Sequence, residues 1–177
     1  MPKLKSSYKI FIFLTAVAAA IWLGSYVSRF SAFYNIFAGP ELDIRGDLNP
    51  ESIRGIFFGL LSPLSTSIFS YFSFLVFFYL SVIFSGLNIK RHGWLFISLL
   101  MVTLTAPFEI FLIWKYDIEM LYQILSSQFD SLELVSFYID RIKMFSFMPF
   151  VMVLTIITLF GLFIFRPFEM KNDQNEA

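Results

Sequence analysis

The chain contains no cysteine, and that absence removes disulfides, thiol redox chemistry, Cys-ligated zinc and Cys-ligated iron–sulfur clusters together. Its one histidine is His92, so haem held between two histidines of this chain is excluded and a His-based metal cluster lacks ligands. Charge is scarce as well: Asp, Glu, Lys and Arg make up 15% of the residues, against about 25% in an ordinary soluble domain. The formal net charge is zero, which gives no basic excess for a nucleic-acid partner. The sequence has no P-loop, no Gly-x-Ser-x-Gly elbow and no His-Glu-x-x-His. Four-helix membrane families built on a cysteine pair or on bis-histidine haem are set aside by the same residue content. These absences lead to the expectation of a non-enzymatic protein with no catalytic residues, no cofactor and no metal ligands.

What is present is apolar surface. Hydrophobic residues form 58% of the 177 positions, and Phe alone contributes 25. That length allows one domain. Four apolar runs, approximately 8–29, 64–86, 93–114 and 145–166, are each long enough to cross a hydrocarbon core of about 30 Å at about 1.5 Å per residue. The expected fold is therefore an all-α integral membrane protein with four transmembrane helices. The Ala16-Val17-Ala18 segment loosely fits a signal-peptide cleavage site. It falls inside an apolar run longer than the usual h-region of about 7–15 residues, so the first run is expected to stay as a span.

Orientation follows from the basic residues. Lys3, Lys5, Lys9, Lys90, Arg91, Arg166 and Lys171 fall on one side of the four runs; Arg29, Arg45, Arg54, Lys115, Arg141 and Lys143 fall on the other. The numbers are close, but the first set is concentrated in short segments, with Lys90, Arg91 and His92 together in the turn 87–92. Positive charge in short loops sets topology, so both termini are expected inside, with an inner tail over 167–177. The basic turn also suits anionic lipid at the inner leaflet.

The two outer connections, approximately 30–63 and 115–144, are long for a helix bundle. In the first, Asn49-Pro50-Glu51 reads as a helix start, and Ile53, Ile56, Phe57, Leu60 and Leu61 recur at helical spacing. In the second, Ile118, Leu121, Tyr122 and Leu125 form one stripe, and Leu134, Val135, Tyr138, Ile139 and Ile142 form another. Short amphipathic helices are expected in both connections. The acidic Glu41, Asp43, Asp47 and Glu51 have no EF-hand spacing and read as solvated loop charge.

Within the spans, Glu109 is the single acidic residue, two positions after Pro107. Acidic groups at membrane depth are costly and are generally functional or paired. Glu109 lies about 24 Å along its helix from Gly93, near the outer interface, where Arg29 ends the first span. The two candidate roles are an ion pair with Arg29 and a proton- or cation-handling carboxylate beside a helix broken by Pro107.

Ala16, Ala20, Gly24 and Ser28 recur every four positions on the first span, a face for close helix packing whose default partner is another helix of the same chain. Thr66, Ser70, Ser73, Ser81 and Ser85 cluster on one side of the second. They mark either a packing face or the wall of a polar path.

The function expected from these features is that of a small multi-pass protein of the inner (cytoplasmic) membrane, an accessory or scaffolding subunit of a larger complex. Its partners would be membrane lipids and other membrane-protein subunits or further copies of itself. The alternative is an oligomeric transporter or channel component using Glu109 and a kinked third span.

Overall fold

The computed structural model of the chain describes residues 6–39, 41–89, 92–126 and 129–167. Of the features expected from sequence, Lys3, Lys5, Lys90, Arg91, Lys171 and most of the 167–177 tail lie outside these residues. The described residues are helical throughout their regular structure: α1 (Ser6–Tyr34), α2 (Pro50–Phe84), α3 (Gly93–Leu112), a π-helical turn (Ile113–Asp117), α4 (Ile118–Ser126), α5 (Ser131–Met144) and α6 (Met148–Phe165). Four helical stretches are long and apolar enough to cross a membrane: Tyr8–Tyr34, Pro50–Phe84, Gly93–Ser126 and Met148–Phe165.

The boundaries have local causes. Asn49 caps α2 by accepting from the Ser52 N–H at 2.7 Å, with Pro50 at the first helical position, where its missing N–H costs nothing. Gly86, at φ +62°, ends that helix in the left-handed region that glycine enters freely. Asp130 caps α5 through the N–H groups of Leu132 and Glu133. At the end of α6, Arg166 is left-handed and its N–H donates to the Leu162 carbonyl at 3.0 Å. Pro167 follows and forbids another turn.

Two expectations are corrected here. The short helix expected within the first outer connection is no separate element, because α2 runs from Pro50 through Pro63 to Phe84 without a break. Proline inside a helix costs about 3 kcal/mol, but Ile53, Phe57, Leu60, Leu64, Ile68, Tyr71, Leu75 and Phe78 form one buried stripe across it. Packing of that stripe holds both halves in one register. In the second connection α4 continues α3 through the π turn, and of the stripe Ile118, Leu121, Tyr122 and Leu125 only Leu121 packs against the core. Ile118, Tyr122 and Leu125 are exposed, while Ile113, Tyr116, Asp117, Met120 and Ile124 are buried.

The expected outer connections are thus mostly a packed layer. At about 1.5 Å per residue, α2 and the Gly93–Ser126 stretch each extend about 50 Å, some 20 Å beyond a hydrocarbon core. At the end remote from Tyr8 and Phe165, Phe33, Ile36, Ile53, Phe57, Leu60, Met120, Ile124, Leu134, Val135 and Tyr138 belong to the larger buried cluster, which continues along the bundle to Trp22, Phe78 and Leu159. The Ser131 hydroxyl donates to the Pro50 carbonyl at 2.9 Å and ties the start of α5 to the start of α2. Residues 36–39 and 41–45 fold back on each other as a clip, with the Ala38 N–H donating to Asp43 O and the Arg45 N–H to Ile36 O. At the opposite end Tyr8, Trp94, Leu95 and Leu162 form a smaller core.

Candidate functional site

Between the helices, toward the end where α5 packs on α2, four charged side chains are buried together. Arg29 on α1, Glu109 on α3, Asp117 in the π turn and Arg141 on α5 are exposed by 2%, 1%, 0% and 3%. Arg141 clasps Asp117 with two hydrogen bonds, Nε to Oδ1 at 2.6 Å and Nη2 to Oδ2 at 3.0 Å. Arg29 Nη1 donates to the same Oδ2 at 2.9 Å and reaches the Ser67 hydroxyl of α2 at 3.5 Å. Glu109 Oε1 stands 3.7 Å from Arg141 Nη2. Counted by formal charge, the two arginines balance the two carboxylates.

Aromatic rings enclose the set. The Arg29 guanidinium lies over the Tyr26 ring at 4.9 Å, a cation–π placement strengthened by desolvation. Tyr26 packs on Trp22, which packs on Tyr71. On the far side Tyr138 stacks against Phe33. Burial works against the charge on Arg141, but the Asp117 and Glu109 carboxylates outweigh it and hold the guanidinium's proton affinity well above its ordinary value. Burial also pushes the Tyr138 phenol up, opposed by both arginines.

The π turn explains how Asp117 reaches this position. In an uninterrupted α-helix at about 100° per residue, Asp117 would lie about 80° round the axis from Glu109. A π turn inserts one residue, takes back about 100° and leaves the two carboxylates within about 20° of each other. The Ile118 N–H donates to the Ile113 carbonyl, the i→i+5 bond that closes the turn.

Arg29 and Glu109 belong to one buried group, but the ion pair expected between them is replaced by other partners: Arg29 bonds Asp117 and Glu109 faces Arg141. The sequence singled out neither Asp117 nor Arg141. Pro107 lies inside α3, one turn past Thr103, whose hydroxyl is 3.2 Å from the Tyr79 hydroxyl. The small-residue face is not where α1 packs on its own chain: Ala20, Gly24 and Ser28 are exposed and Ala16 is half-buried. A Cβ added at Gly24 would meet nothing within 4 Å. The buried face is instead Thr15, Ala18, Ala19, Trp22, Tyr26, Arg29 and Phe33, because large rings on α1 and α2 fill the contact.

Four of the five stripe hydroxyls of α2 are turned to their own helix. Ser70 donates to Thr66 O, Ser73 to Phe69 O, Ser81 to Phe78 O and Ser85 to Val82 O, at 2.6 to 2.8 Å. His92 precedes α3, and its carbonyl accepts from the Leu95 and Phe96 N–H groups. Among the described residues no group of three or more His, Cys, Asp or Glu is placed to hold a metal ion.

Comparison with known proteins gives no family. No protein-family model matches the chain, and neither a curated protein nor a solved structure matches it significantly.

Proposed function

We propose that this is a small, non-enzymatic multi-pass protein of the inner (cytoplasmic) membrane that serves as an accessory or scaffolding subunit beside other membrane proteins, with both termini on the cytoplasmic side. The observation that carries the reading is an apolar stripe left open on the outside of the bundle. Trp114, Ile118, Tyr122 and Leu125 are exposed by 77%, 41%, 70% and 64% and follow one another at helical spacing. Measured from Gly93 at about 1.5 Å per residue, Trp114 stands about 31 Å along the helix and Leu125 about 48 Å. The stripe therefore starts where a hydrocarbon core of about 30 Å ends and climbs beyond the reach of acyl chains. Contiguous apolar surface facing water marks an interaction site.

Two further features support the same reading. The open face of Ala20, Gly24 and Ser28 allows close approach by a helix from outside the chain. The buried charges are closed on one another, and four of the five stripe hydroxyls of α2 serve carbonyls of their own helix, which favours a fastener over a polar conduction path.

The test is affinity purification from native membranes in mild detergent, comparing the natural chain with a Tyr122→Lys/Leu125→Lys variant. A co-purifying membrane protein, lost in the variant while the melting temperature is unchanged, supports the reading. A chain that purifies as a monomer with no companion overturns it.

A further inference from the structure

Beyond the buried charges, on the outer side of α1, lies a cavity of about 240 Å³ lined by Phe30, Phe33, Tyr34, Phe37, Leu42 and Ile142. We propose that it is a binding site for one hydrocarbon chain of a membrane lipid, drawn up from the adjoining leaflet between α1, the clip and the end of α5.

The lining decides the chemistry. Five of the six side chains are hydrocarbon and the sixth offers one phenol. Water held in a cavity needs two to four polar partners, and apolar cavities take apolar guests. Phe33 and Phe37 form a buried floor, while Phe30 and Tyr34, exposed by 45% and 47%, form the rim.

Position selects the guest. Val27, Phe30 and Tyr34 are spaced three and four apart along α1 and are all exposed, so the rim continues the face that α1 turns toward lipid. Tyr34 stands only about 8 Å along the helix from Arg29, and the site opens at the boundary where acyl chains begin. The proposal requires that the four helices span a bilayer; it does not require the accessory-subunit reading.

The wall is built rather than incidental. Leu42 has φ +64°, a left-handed backbone that a leucine rarely adopts, and its side chain lines the cavity. The bridge between Phe37 and Ile44 holds the clip in that shape. Ile142 adjoins Arg141 and Phe33 packs on Tyr138, so a chain in the cavity would press on the residues that hold α5 to the buried charges.

The experiment reconstitutes the full chain in phosphatidylcholine vesicles containing a phosphatidylcholine with a mid-chain diazirine, followed by irradiation and mass mapping of the adducts. Adducts are expected on the cavity floor and wall, Phe33, Phe37 and Leu42, as well as on lipid-facing positions such as Phe69 and Phe150. The Ile142→Trp variant, which fills the cavity, is expected to lose the Phe33, Phe37 and Leu42 adducts and keep the others, and the retained adducts report that the variant still folds and inserts. Adducts confined to the lipid-facing positions, or Phe33, Phe37 and Leu42 adducts that survive Ile142→Trp, would overturn the proposal.

Discussion

Arg141 on α5 holds Asp117 of the π turn, 24 residues earlier in the chain, through two hydrogen bonds at 2.6 and 3.0 Å. Neither residue lies in the four apolar runs read from the sequence, although Asp117 falls within the continuous Gly93–Ser126 stretch, and both are buried completely enough that each depends on the other. Removing one partner of a buried ion pair typically costs about 3–5 kcal/mol, because the remaining charge is left uncompensated. Asp117→Asn is therefore expected to destabilise the protein by about that amount, since it leaves two buried guanidiniums facing one carboxylate. Thermal unfolding in detergent measures it. A loss below about 1 kcal/mol, the range of an exposed pair, would show that the group is hydrated and open.

Removing both members should be cheaper than removing either. Asp117→Leu with Arg141→Met leaves Arg29 and Glu109, which are still neutral together, and replaces two buried ions by apolar volume. Such replacements are often neutral or stabilising. A double-mutant cycle is expected to give a loss well below the sum of the single losses, with a coupling of about 2–3 kcal/mol. Simple additivity would mean that the two side chains act independently in solution.

Glu109→Gln should be milder than Asp117→Asn. Glu109 meets Arg141 at 3.7 Å, longer than a hydrogen bond, and the amide keeps its shape. A loss of about 1–3 kcal/mol is expected, with no change in proton or cation flux in reconstituted vesicles. A flux that disappears in this variant would favour the transport alternative over the structural one.

The π turn gives a prediction about chain length. Deleting Lys115, which is exposed, converts the turn to a regular α-helix in which Asp117 sits seven residues after Glu109, still within about 20° of its face. That deletion is expected to be tolerated within about 1 kcal/mol, as a surface change is. Deleting Leu104, also exposed, leaves the π turn in place and rotates everything beyond it by about 100°. It should abolish the folded state in detergent. Equal damage from the two deletions would remove the inserted-residue account.

Orientation can be read by labelling, because the chain has no cysteine of its own. Ser136→Cys places a thiol on the exposed side of α5, and Asn88→Cys places one in the turn between α2 and α3, also exposed. With the termini cytoplasmic, a membrane-impermeant maleimide added to intact cells should modify the first and reach the second only after lysis. The opposite pattern would invert the topology.

The four apolar helices of membrane-spanning length were legible because a long apolar run has few alternatives in water or lipid. Glu109 and Arg29 were legible as a level, since counting residues along a helix gives depth. Arg141 left a signal that is clear once the structure is known: it follows Leu134 and Tyr138 at positions i+7 and i+3, on the inward stripe of α5. Asp117 likewise falls in series with Ile113, Met120 and Ile124. A charged residue in a segment outside the spans reads as solvated, so neither stood out. The rotation supplied by the π turn and the passage of α2 through Pro63 could not be read from propensity, because packing of distant side chains decides both.

The neutrality of the buried group also bears on how the protein experiences an energised membrane. Moving one elementary charge through 100 mV changes its energy by about 2.3 kcal/mol. Arg29, Glu109, Asp117 and Arg141 shifted as a unit, with all four ionised, would carry none of that energy, because their formal charges sum to zero. Only a rearrangement that separates the arginines from the carboxylates could couple to the field, and the bonds on Asp117 oppose it. With these bonds intact, the bundle has no lever here by which voltage could move it.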